Sequence, residues 1–386
     1  MSPLIFYSVW IFVLGLCVGS FLNVCISRLP RHESILYPPS HCPECGHSIR
    51  AWENIPVLSY VFLRGRCSGC GQPISLQYPL VELATGILFT ILWQRLWLTG
   101  ASVWATLPAL ILAAILLATA LTDIKHGMIP NMLTLPGIGL AVLLTLVLPS
   151  VETPLLWGPS QPAAWLSSLA DILPIQDHAP PLLAALGGAL LGGGVLLVFR
   201  EIGRLAWGKA RITCEQSHQL RISALGLVID EDDPRPLHAL LPRRSDTLTV
   251  ELEAPPSHPS LADNAKAGDR IRVTRTGVQL NHTTIAFNEL GELYLSSRRW
   301  WQPREVLGLG DVKLAAVLGS FLGITGGFFA LTMGALLGTV WGILALACTR
   351  GQSGGTVAFA PFLAGGGMIW LLAGPEILYW YSRLFG

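Results

Sequence analysis

Two aspartates stand where a carboxylate can do chemistry. Asp311 lies in Gly308-Leu309-Gly310-Asp311-Val312-Lys313, at the mouth of a long apolar run, and Asp123 closes another in Leu121-Thr122-Asp123-Ile124-Lys125-His126-Gly127-Met128-Ile129-Pro130-Asn131. Ionised groups at a bilayer boundary are costly, so two of them in matching positions are expected to face one wet, protein-lined site. Carboxyls about 3 Å apart cannot both ionise; sharing one proton, one acts as base and the other as acid, which is the chemistry of an aspartic protease. The blander readings fit less well. Lys313 is two residues from Asp311, and positions i and i+2 do not face each other on a helix. Asp123 is too far from Pro130 to cap the helix that begins there, because a cap reaches only the first turn. His126 reads as an interfacial polar residue, since a carboxylate dyad needs no imidazole.

A second set of residues has metal-ligand spacing. Cys42-Pro43-Glu44-Cys45 and Cys67-Ser68-Gly69-Cys70 are Cys-x2-Cys knuckles, each followed by glycine. That pattern brings four thiolates to the corners of a tetrahedron and reads as structural zinc rather than a pair of disulfides. A closed four-cysteine site leaves no position for a substrate, so the metal is expected to be a staple. Cys17, Cys25, Cys214 and Cys348 have no partner at ligand spacing and read as unpaired thiols.

The elements that must position these residues are mostly membrane helices. Of 386 residues 52% are hydrophobic and only 13% charged, which overrides the soluble multidomain expectation that length alone would give. Apolar runs at 4–27, 79–98, 103–122, 130–149, 181–199, 312–326, 327–348 and 358–381 give about eight candidate spans. The last pair of runs before 358 is divided only by a turn-like break between Gly319 and Gly327. The first run lacks a preceding basic region and is expected to be a retained helix, not a signal peptide. A net charge of +1 and no long basic stripe argue against nucleic acid as a partner.

Orientation follows from the loops. Arg28, Arg31, Arg50, Arg64 and Arg66 fall in the first loop, whereas the stretch from Pro149 to Pro181 has no lysine or arginine. By the positive-inside bias the first loop faces the cytoplasm, and counting helices from it sets both aspartates on that same face. Between Ala206 and Arg304 the chain turns hydrophilic. Alternation in Thr247-Leu248-Thr249-Val250-Glu251-Leu252 and Arg270-Ile271-Arg272-Val273-Thr274, with turn signals at Gly277 and Asn281, predicts half-buried strands of a soluble insert. The acidic cluster from Asp230 to Asp233 lacks the spacing and glycine of an EF-hand and reads as a solvated loop.

The chain resembles the type IV prepilin peptidases, bifunctional leader peptidases and N-methyltransferases of bacterial inner membranes. The resemblance is carried by Gly19-Ser20-Phe21-Leu22-Asn23-Val24 with Arg28-Leu29-Pro30, by the cysteine knuckles around Asn54-Ile55-Pro56-Val57-Leu58-Ser59-Tyr60, and by Tyr78-Pro79-Leu80-Val81-Glu82. It continues through both aspartate motifs to Phe359-Ala360-Pro361-Phe362-Leu363-Ala364, leaving out residues 150–180 and 206–304. It implies that Asp123 and Asp311 are the catalytic pair of a Gly-x-Gly-Asp aspartic protease. The substrate would be a prepilin or pseudopilin, cut after its short basic leader and then methylated at the new N-terminus from S-adenosylmethionine. A peptidase without the methyltransferase activity is the alternative. Glu82 and Asn23 read equally well as helix-to-helix hydrogen bonds and stay outside the expected catalytic set.

The expectation is therefore an all-α polytopic membrane protein of the inner membrane, with a four-cysteine zinc domain and a β-rich insert, both cytoplasmic. Its parts would be a first helix at 1–27, the zinc domain at 28–78, helices with Asp123 at 79–205, the insert at 206–304, and the Asp311 motif with the last helices at 305–386. The insert, long for this family, is expected to be a lid or a contact for pilus or secretion machinery. Rival readings are a transporter, which would show interrupted helices in repeated halves, and a zinc adaptor without activity.

Overall fold

The computed structural model describes residues 3–31, 33–100, 103–147, 181–207, 209–223, 226–230, 237–241, 247–262, 265–274, 276–281, 283–303, 307–348 and 358–385. The basic-poor stretch at 149–181 lies almost wholly outside them. The chain divides into two compact units, residues 1–197 with 309–386, and residues 198–308.

The first unit is helical. Its helices are α1 (Pro3–Arg28), the short α2 (Leu58–Phe62), α3 (Gln77–Leu98), α4 (Val103–His126), α5 (Asn131–Val147), α6 (Pro181–Trp207), α7 (Leu309–Cys348) and α8 (Ala360–Phe385). α6 continues past residue 197 into the second unit. Among the described residues six helices are long and apolar enough to cross a membrane, and Asn131–Val147 is a shorter apolar one. Fully buried Leu92, Leu112, Leu116, Leu314, Leu318 and Leu363 form a core shared by α3, α4, α7 and α8. α1 lies so close on α3 that a methyl group added at Gly19 would meet the Glu82 Cα at 2.7 Å. Small residues let membrane helices make such backbone contact, which replaces the hydrophobic drive that lipid cannot supply.

α7 is not one rod. Gly323 has φ 69° and ψ −171°, a left-handed conformation that only glycine takes without cost. In a continuous helix residues eight apart stand about 12 Å apart along the axis, yet a Cβ on Gly327 would lie 3.0 Å from the Gly319 Cα. The two arms therefore fold back on each other as a hairpin. The expected break between Gly319 and Gly327 is a turn, and it falls at Gly323, ahead of the 326/327 boundary that the apolar runs suggested. Gly326 and Gly327 belong instead to the second arm, where they make room for Trp370 and Gly319.

Among its described residues the second unit holds a seven-stranded antiparallel sheet in the order β2-β1-β7-β3-β4-β5-β6. Its strands are β1 (Lys209–Ser223), β2 (Gly226–Ile229), β3 (Leu248–Glu251), β4 (Arg270–Val273), β5 (Gly277–Leu280), β6 (Thr283–Ala286) and β7 (Leu293–Pro303). The register sets Val250 opposite Ile271, Ile271 opposite Leu280 and Leu220 opposite Leu295. A period of two thus aligns the apolar residues of successive strands on one buried face. Asn281, at φ 51°, turns β5 into β6. Arg200, on the part of α6 in this unit, donates to the Leu307 carbonyl at 3.1 Å and ties the unit's two ends together.

Candidate functional site

Asp123 sits in the last turn of α4. The helix stops because Gly127, at φ 62°, donates its N–H back to the Asp123 carbonyl at 2.8 Å, and Pro130 follows. Asp311 sits in the first turn of α7. Both side chains are buried, each residue 8% exposed. The helix ends that carry them meet: Gly310 lies against Ile129, with 2.9 Å left for an added Cβ. Lys313 Nζ donates to Asn131 Oδ1 at 2.6 Å across the same junction. The lysine is thus engaged with α5.

Asp123 has a partner that the sequence reading did not find. Its Oδ2 accepts the backbone N–H of Ala360 at 3.3 Å, at the start of α8. The carboxylate is a helix cap after all, for a helix far along the chain rather than for the one at Pro130. Two groups, the Ala360 N–H and the Asn131 amide, therefore join the site. Both lie inside motifs already singled out, but nothing in a linear spacing signals a backbone donor across so long a separation. His126 is exposed.

The four cysteines converge. The Sγ atoms of Cys42, Cys45, Cys67 and Cys70 all lie within 4.8 Å of one another, with Cys42 to Cys70 at 3.9 Å and Cys45 to Cys67 at 4.0 Å. A tetrahedron with metal–sulfur bonds of about 2.3 Å has sulfurs about 3.8 Å apart, so the donor set fits a metal ion. The sulfurs are too far apart for disulfides, and all four thiols are free.

The two knuckles are built alike. Gly46 N–H donates to the Cys42 carbonyl and Gly71 N–H to that of Cys67, both at 2.9 Å, with both glycines at positive φ. The backbone N–H groups of Cys70 and Gly69, aimed at its sulfur, hold the Cys67 thiol down to about 6, while Cys70 beside it is raised to about 12. Glu53 braces the first knuckle. It accepts from the Arg50 N–H at 2.9 Å and contacts His47 Nε2 at 3.2 Å, and the Arg50 N–H above all holds its carboxyl down to about 2.

Glu82 and Asn23 resolve as links between segments. Glu82 Oε2 accepts the Val57 N–H at 2.7 Å and so ties the knuckle segment to α3. Asn23 Nδ2 donates to the Tyr78 carbonyl at 3.1 Å, joining α1 to α3. In the second unit, the described part of the acidic cluster is Asp230, which contacts His218 and accepts the Gln219 N–H at 2.7 Å. Asp232 and Asp233 lie outside the described residues.

Comparison with known proteins bears on the same segments. Residues 13–96 match the family model described as the bacterial peptidase A24 N-terminal domain. A prepilin leader peptidase/N-methyltransferase of Myxococcus xanthus (strain DK1622) is 50% identical over 131 residues, which is 34% of this chain and 38% of that protein. Proteins of the same name from Neisseria gonorrhoeae and Pseudomonas putida are 40% and 44% identical over 35% and 34% of this chain, and the match covers 54% and 52% of them. The chain thus spans about half the length of these relatives, or less. No solved structure matches it significantly. Over residues 13–96 the chain is similar to the bacterial peptidase A24 N-terminal domain, and over about a third of its length to the prepilin leader peptidase/N-methyltransferases.

Proposed function

We propose that this protein is a membrane-embedded aspartic endopeptidase that removes the short basic leader of type IV prepilins or pseudopilins. In this reading it works at the cytoplasmic face of the bacterial inner membrane and then methylates the new N-terminus from S-adenosylmethionine, in support of pilus assembly or type II secretion. The observation that carries it is the meeting of two helix ends, each with a buried aspartate, through Gly310 on Ile129 and Lys313 on Asn131. In the reaction one carboxylate takes a proton from water as the oxygen attacks the scissile carbonyl. The other, protonated, donates to the carbonyl oxygen; as the C–N bond breaks, the first carboxyl passes the proton taken from water to the leaving amine, and the second carboxylate recovers its own proton from the hydroxyl as the new carboxyl group forms. The arginines of the first loop support the cytoplasmic assignment. The methyl-transfer half rests on the relatives' printed name and on the match over residues 13–96.

Cys42, Cys45, Cys67 and Cys70 would hold zinc, which in a closed thiolate site supplies folding energy and no reaction step. The strand-rich unit would serve as a lid or as a contact for pilus or secretion machinery. Its deletion is expected to impair processing or assembly, and unchanged processing and assembly would remove that role.

The test of the peptidase is replacement of each aspartate by asparagine, followed by mass spectrometry of a prepilin's N-terminus. Either variant is expected to lose cleavage by a factor of about 10² to 10⁴ or more while keeping its fold and bound metal. A variant that trims the leader at the wild-type rate would overturn the assignment. The same spectra report whether the new terminus gains a methyl group.

A further inference from the structure

The first turn of α8 has few hydrogen-bond donors, and one of them is committed to Asp123. A helix leaves its first N–H groups without intrahelical acceptors. Phe359 occupies the capping position, since its carbonyl accepts the Leu363 N–H at 3.2 Å, but phenylalanine has no side-chain acceptor to cap with. Pro361 has no N–H. Phe362 donates back to the Phe359 carbonyl at 3.1 Å. That leaves the N–H of Ala360, a residue 0% exposed, and it donates to Asp123 Oδ2 at 3.3 Å.

We propose that the Ala360 N–H is a positioning group for the reaction: it anchors Oδ2 of Asp123 and so leaves Oδ1 as the oxygen that faces the reacting water. The inference rests on the catalytic reading of Asp123 given above. A carboxylate in the last turn of α4 is otherwise free to rotate about its Cα–Cβ and Cβ–Cγ bonds. A fixed donor on a neighbouring helix removes that freedom, and rates fall steeply when a reacting group is held loosely. It also follows that Phe359-Ala360-Pro361-Phe362 belongs to the active centre through its backbone, and that the apolar identity of Ala360 is incidental to this role.

The test removes one hydrogen-bond donor from the full-length protein in membranes. Lactic acid incorporated in place of Ala360 turns the amide into an ester and deletes the N–H while keeping the buried methyl group. We expect the ester protein to lose about tenfold to a hundredfold in kcat per folded molecule, with KM for the prepilin nearly unchanged. The pH profile of kcat should also move, because the anchored oxygen changes its environment. An ester protein with wild-type kcat and pH profile would overturn the proposal, as would one whose only defect is a smaller folded fraction, the signature of a purely structural cap. Wild-type cleavage by Asp123→Asn would instead overturn the catalytic reading on which the proposal stands, so the two failures are distinguishable.

Discussion

Two segments depart from the helical spans, and they are stabilised by opposite means. Among the described residues between Arg31 and Tyr78 no hydrophobic side chain is buried, and Leu36, Tyr37, Trp52 and Phe62 are exposed. This stretch keeps its shape through paired turns, Glu53, the Val57 link to Glu82 and four converging thiols. The strand-rich unit has no such ligand cluster among its described residues, but Leu220, Val250, Ile271, Val278 and Leu280 are fully buried. The difference is one of scale. A piece of chain below about 70 residues seldom buries enough apolar surface to offset its ordering entropy, and a metal site is one usual remedy. A unit of a hundred residues or so can close a core of its own.

That contrast can be broken in several ways. The largest expected effect is metal removal: chelation, or Cys67→Ser, should abolish hydrogen-exchange protection at the N–H groups of Cys42, Gly46, Cys67 and Gly71. Protection in β3, β4 and β5 should stay as it was. Persistence of the knuckle amides without metal would show that something other than the thiols holds them. Next, Ile271→Ala opens a cavity under the sheet and should cost that unit about 2–5 kcal/mol in denaturant unfolding, leaving metal content unchanged. A smaller loss, about 1–3 kcal/mol, is expected from Glu82→Ala, which strands the Val57 N–H. It should appear as faster exchange around Val57, and equal exchange in both proteins would refute the tie.

The smallest effect concerns acid. The Gln219 N–H, and after it His218, hold the Asp230 carboxyl below its ordinary 3.8. A depressed carboxylate adds stability that is complete above the ordinary value and is lost as pH falls through the lowered one. The thermal midpoint of the strand-rich unit should therefore begin to fall only below about pH 3.8, and Asp230→Asn should flatten that limb. The knuckles should fail at higher pH, since their ligands must be thiolates. If acid removes the sheet first, the contrast is wrong.

How much of this was legible depended on whether the signal was local. The alternation of Leu248 with Val250 and of Ile271 with Val273 marked β3 and β4, because period two is written in adjacent residues. The Cys-x2-Cys spacing gave the ligand set for the same reason. The membrane unit was harder. Its helices are apolar all round, so hydropathy finds them but does not say which faces meet, and contacts such as Gly19 on Glu82 depend on shape alone. The long pairing of β1 with β7 joins residues up to 94 positions apart (Lys209 with Pro303), and no local pattern specifies it. The link from Asp123 to Ala360 was hidden more deeply, since its donor is a backbone N–H and any residue but proline supplies one.

The unequal arms of the α7 hairpin have one further implication. At about 1.5 Å per residue, the arm from Gly323 back to Asp311 rises about 18 Å and the arm on to Cys348 about 37 Å. The hydrocarbon layer is about 30 Å thick, so the longer arm is long enough to cross it and the shorter one is not. Asp311, at the head of the shorter arm, therefore stands about 19 Å short of the level that Cys348 reaches at the end of the longer one.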